Sequence, residues 1–64
     1  MMIIGYKGKV NQDAVIKALK KHTDKSTKEI NTIVSQVMAG QIVPLIRDEF
    51  LAEDLKDANF LVKY

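Results

Sequence analysis

No cysteine occurs among the 64 residues, which excludes disulfides and thiolate metal sites and leaves apolar burial to stabilise the fold. That fits a reducing cytoplasm, the compartment we expect. His22 is the single histidine, so neither a His-rich metal cluster nor a histidine pair can be built. No stretch approaches the roughly 18 apolar residues that span a bilayer. The opening Met1-Met2-Ile3-Ile4 run is too short for the apolar core of a signal peptide. Repeats and low-complexity segments are missing. So is a glycine-rich phosphate loop, because Gly5-Tyr6-Lys7-Gly8 falls in a predicted strand rather than at a strand-to-helix turn. The expectation is a chain without membrane segment, metal or cofactor.

What is present suits one globular domain over residues 1–64. Apolar residues make up 47% and charged residues 28%, values that argue against disorder. A chain this short buries only about 60% of the surface its unfolded form exposes, so its core is thin. The net charge of +2 is unevenly spread. Residues 1–31 carry Lys7, Lys9, Lys17, Lys20, Lys21, Lys25 and Lys28 against Asp13, Asp24 and Glu29. Residues 32–64 carry Arg47, Lys56 and Lys63 against Asp48, Glu49, Glu53, Asp54 and Asp57. A basic half and an acidic half favour oriented docking.

The residue pattern predicts β-α-α-β-α-β, an α+β fold with three helices layered on a small three-stranded antiparallel sheet. Met2–Val10 reads as a strand, with Gly5 or Gly8 marking a bulge or close approach. Asn11 is placed to cap a helix over Gln12–His22, whose Val15, Ala18, Leu19 and His22 share a face. Ser26-Thr27-Lys28-Glu29 has the form of a capping box, and Ile30, Ile33, Val34, Val37 and Met38 give the next helix its apolar face. Gly40 fits its C-terminal turn. Gln41–Arg47 suits a second strand, which Pro44 restricts to a sheet edge. Asp48 can cap a third helix over Glu49–Ala58, with Leu51, Leu55 and Ala58 inward. Phe60–Tyr64 completes the sheet.

Converging catalytic groups are scarce. His22 suits a packing role at a helix end, and Ser26 is explained as a cap. The acids from Asp48 to Asp57 read as a solvated helix face rather than a general acid–base pair. No catalytic residue is assigned. The feature above background is basic. Lys17, Lys20, Lys21, Lys25 and Lys28 fall within twelve residues across the end of one helix and the start of the next. Lys17, Lys20 and Lys21 share the side away from Val15. Ile16 lies off the apolar face beside them, and reads either as an aliphatic anchor in a charged rim or as a flanking core position.

The segment Asn11…Ala14-Val15-Ile16-Lys17-Ala18…Thr23…Lys28-Glu29…Val34 resembles the C-terminal domain of the bacterial ribosomal stalk protein, ribosomal protein L-seven/L-twelve. The match runs without gaps from Asn11 to about Ser35, and beyond it the two share the order of elements, with a shorter third helix here. The resemblance implies a mobile, non-catalytic hook that contacts translational GTPases or ribosome-associated factors through its first two helices. Ile16, Lys17, Lys28 and Glu29 match the family's contact positions, and Lys20 stands for an arginine. Gln12, Asp13, Thr27 and Asn31 depart from its lysine, valine, leucine and lysine. Asp24-Lys25-Ser26 replaces its glycine-leucine-glycine turn. The family's dimerisation segment and hinge have no counterpart here, so the expectation is a free-standing relative of the kind a phage or mobile element carries.

The partner-binding set is therefore Ile16, Lys17, Lys20, Lys21, Lys25, Lys28 and Glu29, facing an acidic protein surface. Three alternatives stay open. A small nucleic-acid-binding regulator would use the same lysines, although the patch lacks arginine and has only Tyr6 for stacking. A protease adaptor of the Clp system would share the fold. A homo-oligomer could form by strand pairing at the Pro44 edge.

Overall fold

The computed structural model describes every residue from Met1 to Tyr64, and its helices begin where side-chain oxygens can meet free backbone amides. The Asn11 carboxamide oxygen accepts from the Ala14 N–H at 3.1 Å and opens α1, Gln12–His22. Val15, Ala18 and Leu19 form its buried face. Thr23 ends it, with hydroxyl and backbone N–H both donated to the Leu19 carbonyl. Three residues on, the Ser26 hydroxyl accepts from the Glu29 N–H and the Glu29 carboxylate accepts from the Ser26 N–H, both at 3.2 Å. This reciprocal capping box starts α2, Thr27–Met38, which buries Ile30, Ile33, Val34 and Val37. Gly40 follows at φ +87°, the left-handed turn that glycine adopts without steric cost. Asp48 accepts from the amides of Phe50 and Leu51 at 3.0 and 3.1 Å and starts α3, Glu49–Asp57.

Three strands complete the order β-α-α-β-α-β: β1 (Met2–Tyr6), β2 (Val43–Pro44) and β3 (Phe60–Lys63). The sheet is ordered β2-β1-β3, and both pairings are antiparallel. The bulge expected at a glycine lies at Ile4-Gly5, where Ile3 pairs with Val62 and Gly5 with Leu61, leaving Ile4 unopposed.

Three boundaries differ from expectation. The first strand stops at Tyr6, not Val10, because Gly8 turns the chain at φ +61° and Lys7 and Asn11 donate to the carbonyls of Asn59 and Ala58. The second strand is two residues rather than seven. Pro44 has no N–H to extend the ladder, and beyond it only Leu45 continues pairing: its N–H donates to the Met1 carbonyl at 2.8 Å and its carbonyl accepts from the Met1 ammonium at 3.0 Å. The third helix ends at Asp57 and the last strand at Lys63, each one residue early.

The layers explain which surfaces stay free. α2 packs on β1 and β2, while α3 packs on β3. α1 lies against α2 and α3, and its backbone approaches no strand. Its apolar face therefore rests mainly on the other two helices. The core is a single apolar cluster that includes Ile3, Leu19, Ile30, Val37, Leu55 and Phe60, and no polar side chain is buried in it. Each such side chain contributes about 1.5–3 kcal/mol on burial.

Candidate functional site

The two basic helices owe their free lysines to the way α1 is held. Its face towards the core is fixed by Val15, Ala18 and Leu19, which leaves Lys17, Lys20 and Lys21 exposed. Lys28 is exposed on the first turn of α2, and Lys25 in the connecting turn is half-buried. None of the five lies within 4.0 Å of a carboxylate, since the ion pairs are His22 with Asp48 and Asp54, and Arg47 with Glu49.

The lysines divide between surfaces. Lys17 and Lys21 line a groove with Ala14, Ala18, Asp54 and Asp57, between α1 and α3. Lys25, Lys28 and Glu29 line a shallow hollow with Thr32 and Ile33 at the start of α2. Lys20 is exposed on α1 and lines neither. Of the two readings of Ile16, the structure agrees with the flanking core position: it is half-buried and packed against the core, not a free-standing anchor. Its place on the α1 wheel, between Leu19 and Lys20, makes it a flank of the apolar face. Glu29 belongs first to the capping box. The bonds from the Ser26 backbone N–H, then the Ser26 hydroxyl bond, hold its carboxyl below the usual glutamate range, with Lys25 adding a smaller attraction.

His22 has the structural role its position predicts. Its Nε2 lies 2.9 Å from an Asp54 oxygen and its Nδ1 lies 3.9 Å from Asp48. The ring thus ties the end of α1 to the cap and body of α3. No group of three or more histidine or acidic side chains is arranged to hold a metal ion. Ser26 is engaged as a cap and Ser35 is exposed on α2.

Two residues escaped sequence reasoning. Ile46 and Phe50 are 88% and 75% exposed, on either side of the Asp48 cap. Ile46 was absorbed into the expected second strand, whose real extent stops at Pro44. Phe50 carried a usable signal, because it falls outside the Leu51, Leu55 and Ala58 face of α3. Ile46 lines a cleft of about 430 Å³ with His22, Lys25, Glu29, Arg47 and Leu51. Arg47 also lies over the Tyr64 ring at 5.2 Å, with Lys56 over the same ring at 5.3 Å.

A scan against protein-family models finds no match, and searches of curated proteins and of solved structures return no significant match either. No helix is long and apolar enough to cross a membrane.

Proposed function

We propose that this chain is a non-enzymatic protein-binding module that docks an acidic partner through the basic surfaces of α1 and α2. Lys17, Lys20, Lys21, Lys25 and Lys28 supply the charge, and Ile16 and Glu29 border it. The observation that supports this reading most is the set of unpaired ammonium groups: five lysines on adjoining elements, none within 4.0 Å of a carboxylate. Ammonium groups already paired would lose a partner on docking, whereas these gain one. The resemblance of Asn11–Ser35 to the ribosomal stalk domain directs the choice of partner towards a translational GTPase or a ribosome-associated factor.

The test is affinity capture from the native cell with the wild-type chain and with Lys17→Glu/Lys28→Glu. Both side chains are exposed, so the variant keeps its fold. Loss of one defined protein, a GTPase or ribosomal component, is the expected result. Recovery of the same proteins by both forms removes the proposal. Binding to single-stranded nucleic acid, falling by about one log-log unit in salt per phosphate contacted, replaces it with the nucleic-acid reading.

A further inference from the structure

We infer that copies of this chain associate head to tail, with the open side of the sheet in one copy seating the outward side of α3 in the next. This contact uses neither the lysines of α1 nor those of α2, and so goes beyond the reading above. Cross-strand partners share a side of a sheet. Ile3 with Val43 and Val62 faces the helices, which leaves Met2 with Pro44 and Lys63, and Gly5 with Leu61, on the other side. Met2 and Leu61 are exposed there, as are Ile4 at the bulge and Ile42 just before β2. Acidic residues are missing from β1, β2, β3 and the β1–α1 connection, whose charges are Lys7, Lys9 and Lys63. None of the three lies within 4.0 Å of a carboxylate. Lys9 shares a hollow with Asp13, so Lys7 and Lys63, at opposite ends of β1, are the cations left to a partner.

The outward side of α3 has the opposite character. Its buried face is complete with Leu51, Ala52 and Leu55, and Phe50 is exposed away from it. Glu49 precedes Phe50, Glu53 follows one turn on and Asp57 two turns on, all exposed. Glu49 meets Arg47 only at 3.9 Å in open solvent, and Glu53 and Asp57 have no ion pair. Lys56, the one cation of the helix, lies over the Tyr64 ring. An exposed ring among carboxylates calls for an apolar surface edged by cations. The open side of the sheet is such a surface, and it belongs to the same chain. Because the two surfaces differ, the contact is heterologous and builds an open chain or a ring. Strands this short, about 3.3 Å per residue and 4.8 Å apart, make a sheet side only about 15 Å across. That is well below the roughly 800 Å² per partner of a stable interface, so association is weak and depends on concentration. Pairing at the β2 edge is a poorer route, because the strand has two residues and Pro44 lacks an N–H.

Sedimentation of the purified chain from about 10 μM to about 1 mM covers the range expected of so small a contact. The average mass should rise with concentration past that of a dimer, and should fall when salt is raised. Two variants separate the surfaces. Ile42→Ser/Lys63→Glu spoils the sheet side, and Phe50→Ser/Glu53→Lys spoils the α3 side. All four side chains are exposed, so both variants should melt with the wild type. Where one melts early, the charge change alone, Lys63→Glu or Glu53→Lys, takes its place. Each variant should stay monomeric over the whole range. An equal mixture holds one intact sheet side and one intact α3 side, so it should form a dimer and nothing larger. A wild-type monomer at the highest concentration overturns the inference, as does a mixture that stays monomeric. Assembly that survives Phe50→Ser/Glu53→Lys also overturns it, because copies then meet sheet to sheet or edge to edge.

Discussion

Asn59 is the only residue other than glycine with a positive φ, +74°, and it sits where α3 gives way to β3. Its side-chain amide donates to the Lys9 carbonyl at 2.8 Å, and its own carbonyl accepts from the Lys7 N–H. The residue therefore both turns the helix end and pins the β1–α1 connection. A left-handed backbone costs an L-residue with a Cβ about 1–2 kcal/mol, less for asparagine. Asn59→Ala is expected to destabilise by about that amount, and Asn59→Gly by less. Because both lose the side-chain bond, their difference in chemical denaturation isolates the backbone contribution. Equal losses would show that the bond to Lys9 carries the whole effect.

The same scale holds the pH response of Glu29. Its carboxyl is held low by hydrogen bonds that only the folded capping box provides. The folded pKa lies below the unfolded one, so the contribution is present above the unfolded value. It is lost as pH falls through the folded value. Ser26→Ala, which removes the hydroxyl bond but keeps the backbone N–H, should move the Glu29 titration part of the way back towards the ordinary range. A carboxyl-carbon NMR titration of both proteins reads this directly. An unmoved midpoint would show that the hydroxyl has no part in it.

Elements were legible to the extent that their signals are local. Asn11, Ser26 and Asp48 each cap the helix their side chains announce, because capping depends on a few neighbouring amides. The alternation in Met2–Val10 was also correct as a strand signal, but only up to Tyr6. Its end is set by contacts to Asn59 and Ala58, about fifty residues away, which no local pattern contains. The site divides in the same way. The exposure of the lysines follows from one helical wheel. The placement of Lys17 and Lys21 beside α3 depends on how α1 lies across its neighbours. Ile46 was missed because a run of aliphatic residues predicts a strand whether or not a partner strand is there.

The join between α1 and α3 gives an element-scale prediction. His22 reaches Asp54 at 2.9 Å, and Asp48 lies within 3.9 Å while its other oxygen caps α3. Asp48→Ala should cost about 0.5–2 kcal/mol through the lost cap. His22→Ala should leave the cap intact but loosen the end of α1. Hydrogen exchange separates the two. Asp48→Ala should raise exchange in the first turn of α3, and His22→Ala should raise it in the last turn of α1. The reverse pattern would mean that the ring, not the cap, orders α3.

At the scale of the whole molecule, 14 of 64 residues are buried and all are apolar. Stability of about 0.05–0.15 kcal/mol per residue gives a chain of this length only about 3–10 kcal/mol. Phe60 is the largest fully buried side chain and comes from β3, directly above the layer of helices. Truncating a buried phenylalanine costs about 3–5 kcal/mol, a large share of that total. Phe60→Ala is therefore expected to shift a sizeable fraction of molecules to the unfolded state at room temperature. Phe50→Ala, which removes an equal ring from the surface, should leave stability within about 0.5 kcal/mol. Circular dichroism melts of the two variants decide the matter. If Phe50→Ala melts as early as Phe60→Ala, the ring of Phe50 supports the fold despite its exposure.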